Sequence, residues 1–144
     1  MKSSILLALI SSVLVLSCRG TSTAPDTLPN SAREYLLGSW NLVKYSGGII
    51  GETVEVDQDR PMHATYTADG RYIVVVRGDT ATNSNYTVTE ENAPGSPAKK
   101  NTVITYSNYM PNAIVDSVSE TRLITNDMAA DGYTHYYHRI VGGK

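Results

Sequence analysis

MHATYTADGRYIVVVR, residues 62–77, is the segment with the clearest structural signal in the chain. Two runs rich in β-branched and aromatic residues, 62–67 and 71–77, flank the pair Asp69-Gly70. Such runs are typical of strands, and an Asp-Gly pair supplies the positive φ angles that a tight hairpin turn requires. The segment therefore predicts two antiparallel strands joined by a short turn.

The same pattern continues through most of the remaining chain. Thr, Val, Ile and Tyr alternate with polar residues between Gly, Asn, Asp and Pro, and we find no helical period of useful length after residue 38. Gly47-Gly48 and Asp131-Gly132 mark further reversals. We expect an all-β fold of eight or nine antiparallel strands, over residues 39–46, 51–57, 62–67, 71–77, 85–90, 101–106, 113–119, 121–125 and 133–141.

One short helix is predicted before these strands. Ser31-Ala32-Arg33-Glu34 has the form of a capping box, so a helix of one or two turns should follow and end at Gly38. The longest break between predicted strands is residues 92–97. Two prolines there remove backbone donors, so this segment is interpreted as a loop.

Length and charge limit the organisation of the chain and its partners. A chain of 144 residues is most simply one domain. The formal net charge of −2, with no basic cluster, argues against nucleic acid as a partner. Roughly a hundred residues in short strands joined by short turns favour a closed antiparallel up-and-down β-barrel, and a β-sandwich is the alternative.

The first segment predicts export from the cytoplasm. Ten of the twelve residues from 5 to 16 are apolar, and they follow Met1 and Lys2, as in a secretory signal. Twelve helical residues span only about 18 Å, which is too short for a permanent membrane span. We therefore divide the chain into a signal peptide (1–17), a flexible tether rich in Thr, Ser and Pro (18–30) and a barrel domain (31–144).

The end of the signal segment resembles the lipobox of bacterial lipoproteins, in which a small residue precedes Cys. Ser17 and the chain's single cysteine, Cys18, match this pattern, while Leu16 stands where the family usually has a small residue. The resemblance implies lipidation of Cys18 by a diacylglyceryl group, with palmitate among the acyl chains, and attachment to a membrane. Arg19 is not the Asp that retains some lipoproteins in the inner membrane, which implies the outer membrane of a Gram-negative cell envelope. The alternative is a plain signal peptide with an incidental cysteine.

Both ends of the predicted barrel resemble lipocalins and their bacterial lipocalin-like relatives. Residues 37–43, Leu-Gly-Ser-Trp-Asn-Leu-Val, are similar to the opening of those domains, and the hairpin at 69–72 also matches. The closing strands are similar over 114–118, 121–123, 131–132 and 136–140. The resemblance implies a lipocalin-like barrel in which Trp40 and Arg139 meet and plug one end.

Alternation along the strands predicts the inner wall of this barrel, because every second side chain faces the same side. If Arg139 faces inward, alternation along the last strand predicts that Tyr137, His135 and Tyr133 also face inward. On the first strand, an inward Trp40 likewise predicts inward Leu42 and Lys44. The uncharged or larger faces of two other strands complete the set. The predicted cavity residues are Leu42, Lys44, Tyr72, Val74, Val76, Ile104, Tyr106, Tyr133, His135 and Tyr137.

This wall indicates a small polar or amphipathic ligand. Lys44 and His135 would converge near the open end and favour an anionic head group; alternatively, Lys44 points to solvent and His135 is a hydrogen-bonded wall residue. Ten tyrosines and no phenylalanine indicate a partly wet interior, since buried phenol hydroxyls need partners.

Neither a metal nor another cofactor is expected. His135 and His138 are three residues apart on one predicted strand, so they face opposite sides and cannot share an ion. We find no nucleophile elbow and no phosphate-binding loop in the sequence, which predicts a protein that is not an enzyme. If catalysis occurs, His135 and Tyr137 are the acid–base candidates.

Two functional interpretations follow from the sequence. In the first, a lipid-anchored barrel binds an unidentified small molecule non-covalently in the envelope. In the second, the barrel is filled by its own side chains and the protein is an interaction or inhibitory protein. Its loops near 92–97 or 108–111 would then contact an envelope protein partner.

Overall fold

A computed structural model describes residues 30–142 of the chain. It contains one helix and nine strands, so the prediction of an all-β fold with a single short helix is confirmed. The predicted signal peptide, nearly all of the tether and Cys18 lie outside the described residues. The elements are α1 Asn30–Leu36, β1 Gly38–Gly47, β2 Glu52–Glu55, β3 Met62–Tyr66, β4 Arg71–Val76, β5 Asp79–Ala93, β6 Ser96–Tyr106, β7 Ala113–Val118, β8 Arg122–Asp127 and β9 Tyr133–Arg139.

The strands form a closed antiparallel barrel. Strands β3 to β9 are each hydrogen-bonded to the next in chain order, and β1 pairs with both β3 and β9. Eight strands, β1 and β3 to β9, therefore close the barrel, and the sandwich alternative is wrong. The ninth strand, β2, pairs with the second half of β1, where β3 no longer reaches.

A β-bulge in β1 changes which side chains face the interior. Trp40 and Leu42 pair with Arg139 and Tyr137, but the next pair joins Lys44 to the neighbouring Tyr136. One extra residue, Val43, therefore lies opposite β9, as in a bulge that increases local twist. Beyond it, the alternation of β1 is shifted by one residue.

The segment at 92–97 is not the loop that the sequence predicted. β5 and β6 continue into it and reverse at Pro94-Gly95, where Gly95 has a φ of 71°. Asn92 pairs with Lys100 and Ala93 pairs with Ser96, so Pro97 lies in the irregular part of β6 and has no partner on β5. A proline is tolerated there because no backbone hydrogen bond of the ladder requires its N–H. The result is a long hairpin whose outer part is exposed.

Tyrosines fill much of the barrel interior. Tyr66 packs against Tyr72 and Tyr86 with ring centroids 4.9 and 5.1 Å apart, and Tyr72 packs against Tyr106 at 4.6 Å. The hydroxyls of Tyr66 and Tyr106 are hydrogen-bonded to each other at 2.8 Å. These rings supply the apolar volume that phenylalanine would otherwise provide, and the Tyr66–Tyr106 bond satisfies two buried hydroxyls.

Candidate binding cavity

One end of the barrel is closed by a contact between the first and last strands of the closed sheet. The guanidinium carbon of Arg139 lies 4.1 Å from the centroid of the Trp40 ring, and the two residues pair in register. Trp40 is fully buried, and its Nε1 donates to Leu36 O at 2.9 Å. The indole and guanidinium groups therefore meet at this end, as the family resemblance implied.

Arg139 also joins two separate segments, the end of α1 with residue 37 and the connection between β7 and β8, through three carbonyl groups. Its Nε donates to Glu120 O at 2.6 Å, its Nη1 donates to Leu37 O at 2.7 Å, and its Nη2 donates to Tyr35 O. A planar guanidinium can do this because it presents five donors in a fixed fork. Gly38 makes room for it: at a φ of +120°, an added Cβ would lie 2.6 Å from Arg139 Nη1.

The opposite end of the barrel holds a cavity of about 280 Å³. A cavity of roughly 150 Å³ accepts benzene, so this one has room for a single ring with a short chain. Strands β3 to β9 and the connection between β6 and β7 all contribute to the wall. The lining residues are Met62, Ala64, Tyr72, Val74, Val76, Ala81, Thr82, Tyr106, Met110, Pro111, Ala113, Thr125, Asp127, His135 and Tyr137.

The ten residues predicted to line a cavity are divided by the structure. Leu42 and Ile104 belong to the buried core and do not line the cavity. Tyr133 lies at the rim, where its ring packs edge-on against Tyr45 at 5.6 Å. Ligand binding by the residues that do line the cavity stays a prediction. The six predicted residues that do line the cavity are Tyr72, Val74, Val76, Tyr106, His135 and Tyr137.

The prediction that Lys44 faces inward is wrong. Because of the bulge at Val43, Lys44 pairs with Tyr136, and its Nζ lies 4.8 Å from the centroid of that ring. Tyr45 pairs with His135 in its place. Lys44 and His135 do not converge, so the argument for an anionic head group no longer holds.

The charged group inside the cavity is instead a carboxylate, that of Asp127. Its Oδ2 lies 3.2 Å from His135 Nε2 and accepts a hydrogen bond from the backbone N–H of Tyr133 at 3.2 Å. The side chains of Asp127 and His135 are 18% and 24% exposed, so both are partly shielded from water. Within residues 30–142, His135 Nδ1 is buried and has no hydrogen-bond partner.

Sequence reasoning missed Asp127 because it ended the eighth strand two residues too early. Leu123 pairs with Tyr137 and Thr125 pairs with His135, so alternation along β8 carries Asp127 to the same inner face. The Asp131-Gly132 pair did not reveal this alignment, because a two-residue turn there would have paired Ala130 with Tyr133 and set a different register. The connection instead comprises the five residues 128–132, which leaves Asp127 beside Tyr133 in the pairing of β8 with β9.

Three buried tyrosines line the cavity as neutral phenols. Burial raises the pKa of Tyr72 to about 12, and the nearby Asp127 carboxylate contributes to the increase. Burial likewise raises the pKa values of Tyr106 and Tyr137 well above their usual range, with a further contribution from Asp127 in each case. At neutral pH, the charge of the cavity therefore depends on Asp127 and His135 alone.

The apolar part of the wall includes residues that the sequence analysis did not single out. Met62 begins β3, and Met110 and Pro111 lie in the connection between β6 and β7, which the sequence suggested as a partner-binding loop. Loop residues follow no strand period, so alternation could not place them. The cavity thus combines an apolar and aromatic wall with one carboxylate and its histidine partner.

No protein-family model, curated protein or solved structure matches the chain. Across residues 30–142, no group of three or more His, Cys, Asp or Glu is arranged to hold a metal ion. Within the same range, no helix is long and apolar enough to cross a membrane.

Proposed function

We propose that this protein binds a small organic molecule non-covalently in the cavity at the open end of its barrel. The observation that carries the proposal is the cavity of about 280 Å³, whose wall is apolar and aromatic with few polar groups. Binding sites for small molecules have this composition, because apolar surface supplies affinity while a few polar groups fix orientation.

Binding is a better account of this cavity than acid–base catalysis. Tyr137 keeps its proton at neutral pH because burial raises its pKa, so it is a poor general base there. His135 Nε2 contacts Asp127, and the other ring nitrogen, Nδ1, is buried, so neither nitrogen is free to exchange a proton with a ligand. If His135 and Tyr137 were catalytic, His135→Ala would abolish an activity that the wild-type protein displays.

Native mass spectrometry of the protein mixed with a bacterial metabolite extract tests the proposal. We expect wild-type protein to carry additional mass, whereas Ala81→Phe, which adds a ring at an exposed position on the cavity wall, should carry less. Ala98→Phe is the matched control, because Ala98 is exposed on β6 and does not line the cavity. Equal occupancy in all three proteins, or none in the wild type, would remove the proposal.

The location of the protein is proposed from its sequence. Cys18 in a lipobox-like context supports lipid attachment in the cell envelope, with residues 18–30 as a tether to the barrel. Labelling of cells with radioactive palmitate should mark the wild type and not Cys18→Ser, which should be released from the membrane fraction. Label retained by the Cys18→Ser variant would count against lipidation at this residue.

A second candidate function is an interaction through the loops around the open end. Ile49 and Ile50, between β1 and β2, are 91% and 82% exposed, and Tyr109, between β6 and β7, is also fully exposed. Exposed apolar groups of this kind mark interaction surfaces when they form a contiguous patch. Crosslinking in the envelope distinguishes this function from ligand binding. A specific protein partner that is crosslinked to the wild type and not to the Ile49→Ser/Ile50→Ser variant would favour the interaction function, if native mass spectra also show no ligand in the cavity.

A further inference from the structure

The wall of the cavity contains one acidic side chain and, among the described residues, no lysine or arginine. All fifteen lining residues lie in the described part of the chain, and neither Lys nor Arg is among them. Asp127 is the single carboxylate, and His135 is its partner there. With His135 neutral, the wall carries one negative charge and no permanent positive charge.

Asp127 is held in place by bonds that use only one of its two oxygens. Both hydrogen bonds that it accepts within residues 30–142, from Tyr133 N–H and at His135 Nε2, involve Oδ2. A carboxylate has about four acceptor sites on two oxygens, so Oδ1 retains its capacity to accept. The carboxylate is therefore oriented before any ligand arrives, and one oxygen remains for that ligand.

Aromatic rings complete a site for positive charge. Tyr72, Tyr106 and Tyr137 all line the same cavity as Asp127. Burial raises the pKa of each of these three phenols, and the carboxylate adds to the increase, so the phenols stay neutral beside the charge of Asp127. The faces of aromatic rings attract organic cations, and clusters of such rings are used to recognise ammonium groups.

We propose that the cavity selects an organic ammonium compound built on one ring and a short chain, with the ammonium group donating to Asp127. The inference rests on the proposed binding function and adds the charge of the ligand. Charge-assisted hydrogen bonds are roughly twice as strong as neutral ones, and partial shielding from water strengthens the attraction further. The apolar part of the ligand packs against Val74, Val76 and the two methionines, Met62 and Met110.

Three probes of similar size and different charge test this inference by isothermal titration calorimetry at neutral pH. They are 2-phenylethylamine, which is a cation, 2-phenylethanol, which is neutral, and 3-phenylpropanoate, which is an anion. We expect the amine to bind at least about tenfold more tightly than the alcohol, and the anion to bind least.

Asp127→Asn should remove this preference while leaving the site intact. The asparagine side-chain oxygen can still accept from Tyr133 N–H and His135 Nε2, so the local fold is retained and affinity for the alcohol should be unchanged. Affinity for the amine should fall about tenfold, to the level of the alcohol. Asp131→Asn is the matched control, since Asp131 is exposed in the turn between β8 and β9 and does not line this cavity.

The outcomes separate this inference from the binding function on which it rests. Equal affinity of wild-type protein for amine and alcohol, or an amine preference that survives in Asp127→Asn, overturns the inference and leaves cavity binding standing. If none of the three probes binds, the inference is also overturned, and native mass spectrometry with the extract then decides whether the cavity binds any ligand. If Asp131→Asn lowers the affinity for the amine as much as Asp127→Asn does, the preference arises from the overall negative charge of this end of the barrel. That result would overturn the role of Asp127.

Discussion

Arg139 connects the first and last strands of the closed barrel to the segments beside them. Its guanidinium stacks on Trp40 and donates to three carbonyl groups in two segments that are far apart in sequence, two at the junction of α1 and β1 and one between β7 and β8. Each carbonyl would otherwise have to find another donor, because helix ends and turns leave such groups unpaired. One side chain thus joins the two ends of the closed sheet.

Replacing Arg139 by lysine should therefore destabilise the protein despite conserving charge. We expect a loss of about 1–3 kcal/mol in the free energy of unfolding, because an ammonium group cannot reach three carbonyls in this planar arrangement. Urea denaturation measures the difference. Arg122→Lys is the control, at an exposed position on the neighbouring strand β8, and should change stability by less than about 0.5 kcal/mol. Equal effects of the two substitutions would contradict the closing role of Arg139.

Among the elements, β1 shows what a sequence can predict about a barrel and what it cannot. The β-branched runs, the Asp-Gly turns and the short helix are local signals, so strand existence and antiparallel order could be anticipated. The Trp40–Arg139 contact was implied by the family resemblance and not by these signals. The bulge at Val43 depends on how β1 twists against β9, which no local pattern in β1 reveals. That single residue reversed the prediction for Lys44.

Strand boundaries were the second source of error. Asp127 was missed because the predicted strand ended at Thr125, although the pairing of β8 with β9 continues beyond it. The prolines at 94 and 97 predicted a loop, but the structure has a hairpin that reverses at Pro94-Gly95. Pro97 is compatible with β6 because no residue of β5 pairs with it. Propensity describes the residue alone, whereas the cost of a proline depends on the neighbouring strand.

Deletion of Val43 tests whether this residue is the extra residue of the bulge in β1. Because Val43 is the extra residue in β1, its removal should leave Lys44 opposite Tyr136 and Tyr45 opposite His135, so the protein should still fold. We expect a cost of about 1–3 kcal/mol, partly from the hydrogen bond that Val56 N–H donates to Val43 O.

Deletion of Ile73 is the matched comparison for this test. Ile73 lies in an unbulged part of β4, between Tyr72 and Val74, whose side chains both line the cavity. After its removal, the side chains on one side of the deletion must exchange the inner and outer faces of the barrel, since a shift of one residue reverses the alternation of a strand. Circular dichroism and urea denaturation should show a cooperative transition for the first deletion and none for the second. The reverse result would contradict the assignment of the bulge.

At the scale of the whole molecule, the buried tyrosines link stability to pH. The pKa of Tyr72 is raised to about 12, and burial raises those of Tyr66, Tyr106 and Tyr137 as well. The unfolded chain loses these protons near pH 10, whereas the folded protein keeps them, so the folded state binds more protons above that pH. Stability is therefore complete below about pH 10 and falls as pH rises toward 12.

Urea denaturation at a series of alkaline pH values measures this dependence. Tyr72→Phe should make the decline between about pH 10 and 12 shallower, by up to about 1.4 kcal/mol per pH unit, because one titrating group is removed. Tyr109→Phe, at a fully exposed position, should leave the slope unchanged. A wild-type stability that stays constant from pH 10 to 12 would contradict burial of these phenols.

The central claim for the whole molecule is that its open-end cavity is a binding site, and methionine methyl groups report on it directly. Met62 and Met110 line the cavity, whereas Met128 is exposed in the connection between β8 and β9 and does not. In a titration with the metabolite extract followed by nuclear magnetic resonance of ¹³C-labelled methionine methyls, we predict saturable shifts at Met62 and Met110 and none at Met128. Shifts confined to Met128, or the absence of saturable shifts at both cavity methionines, would contradict the account.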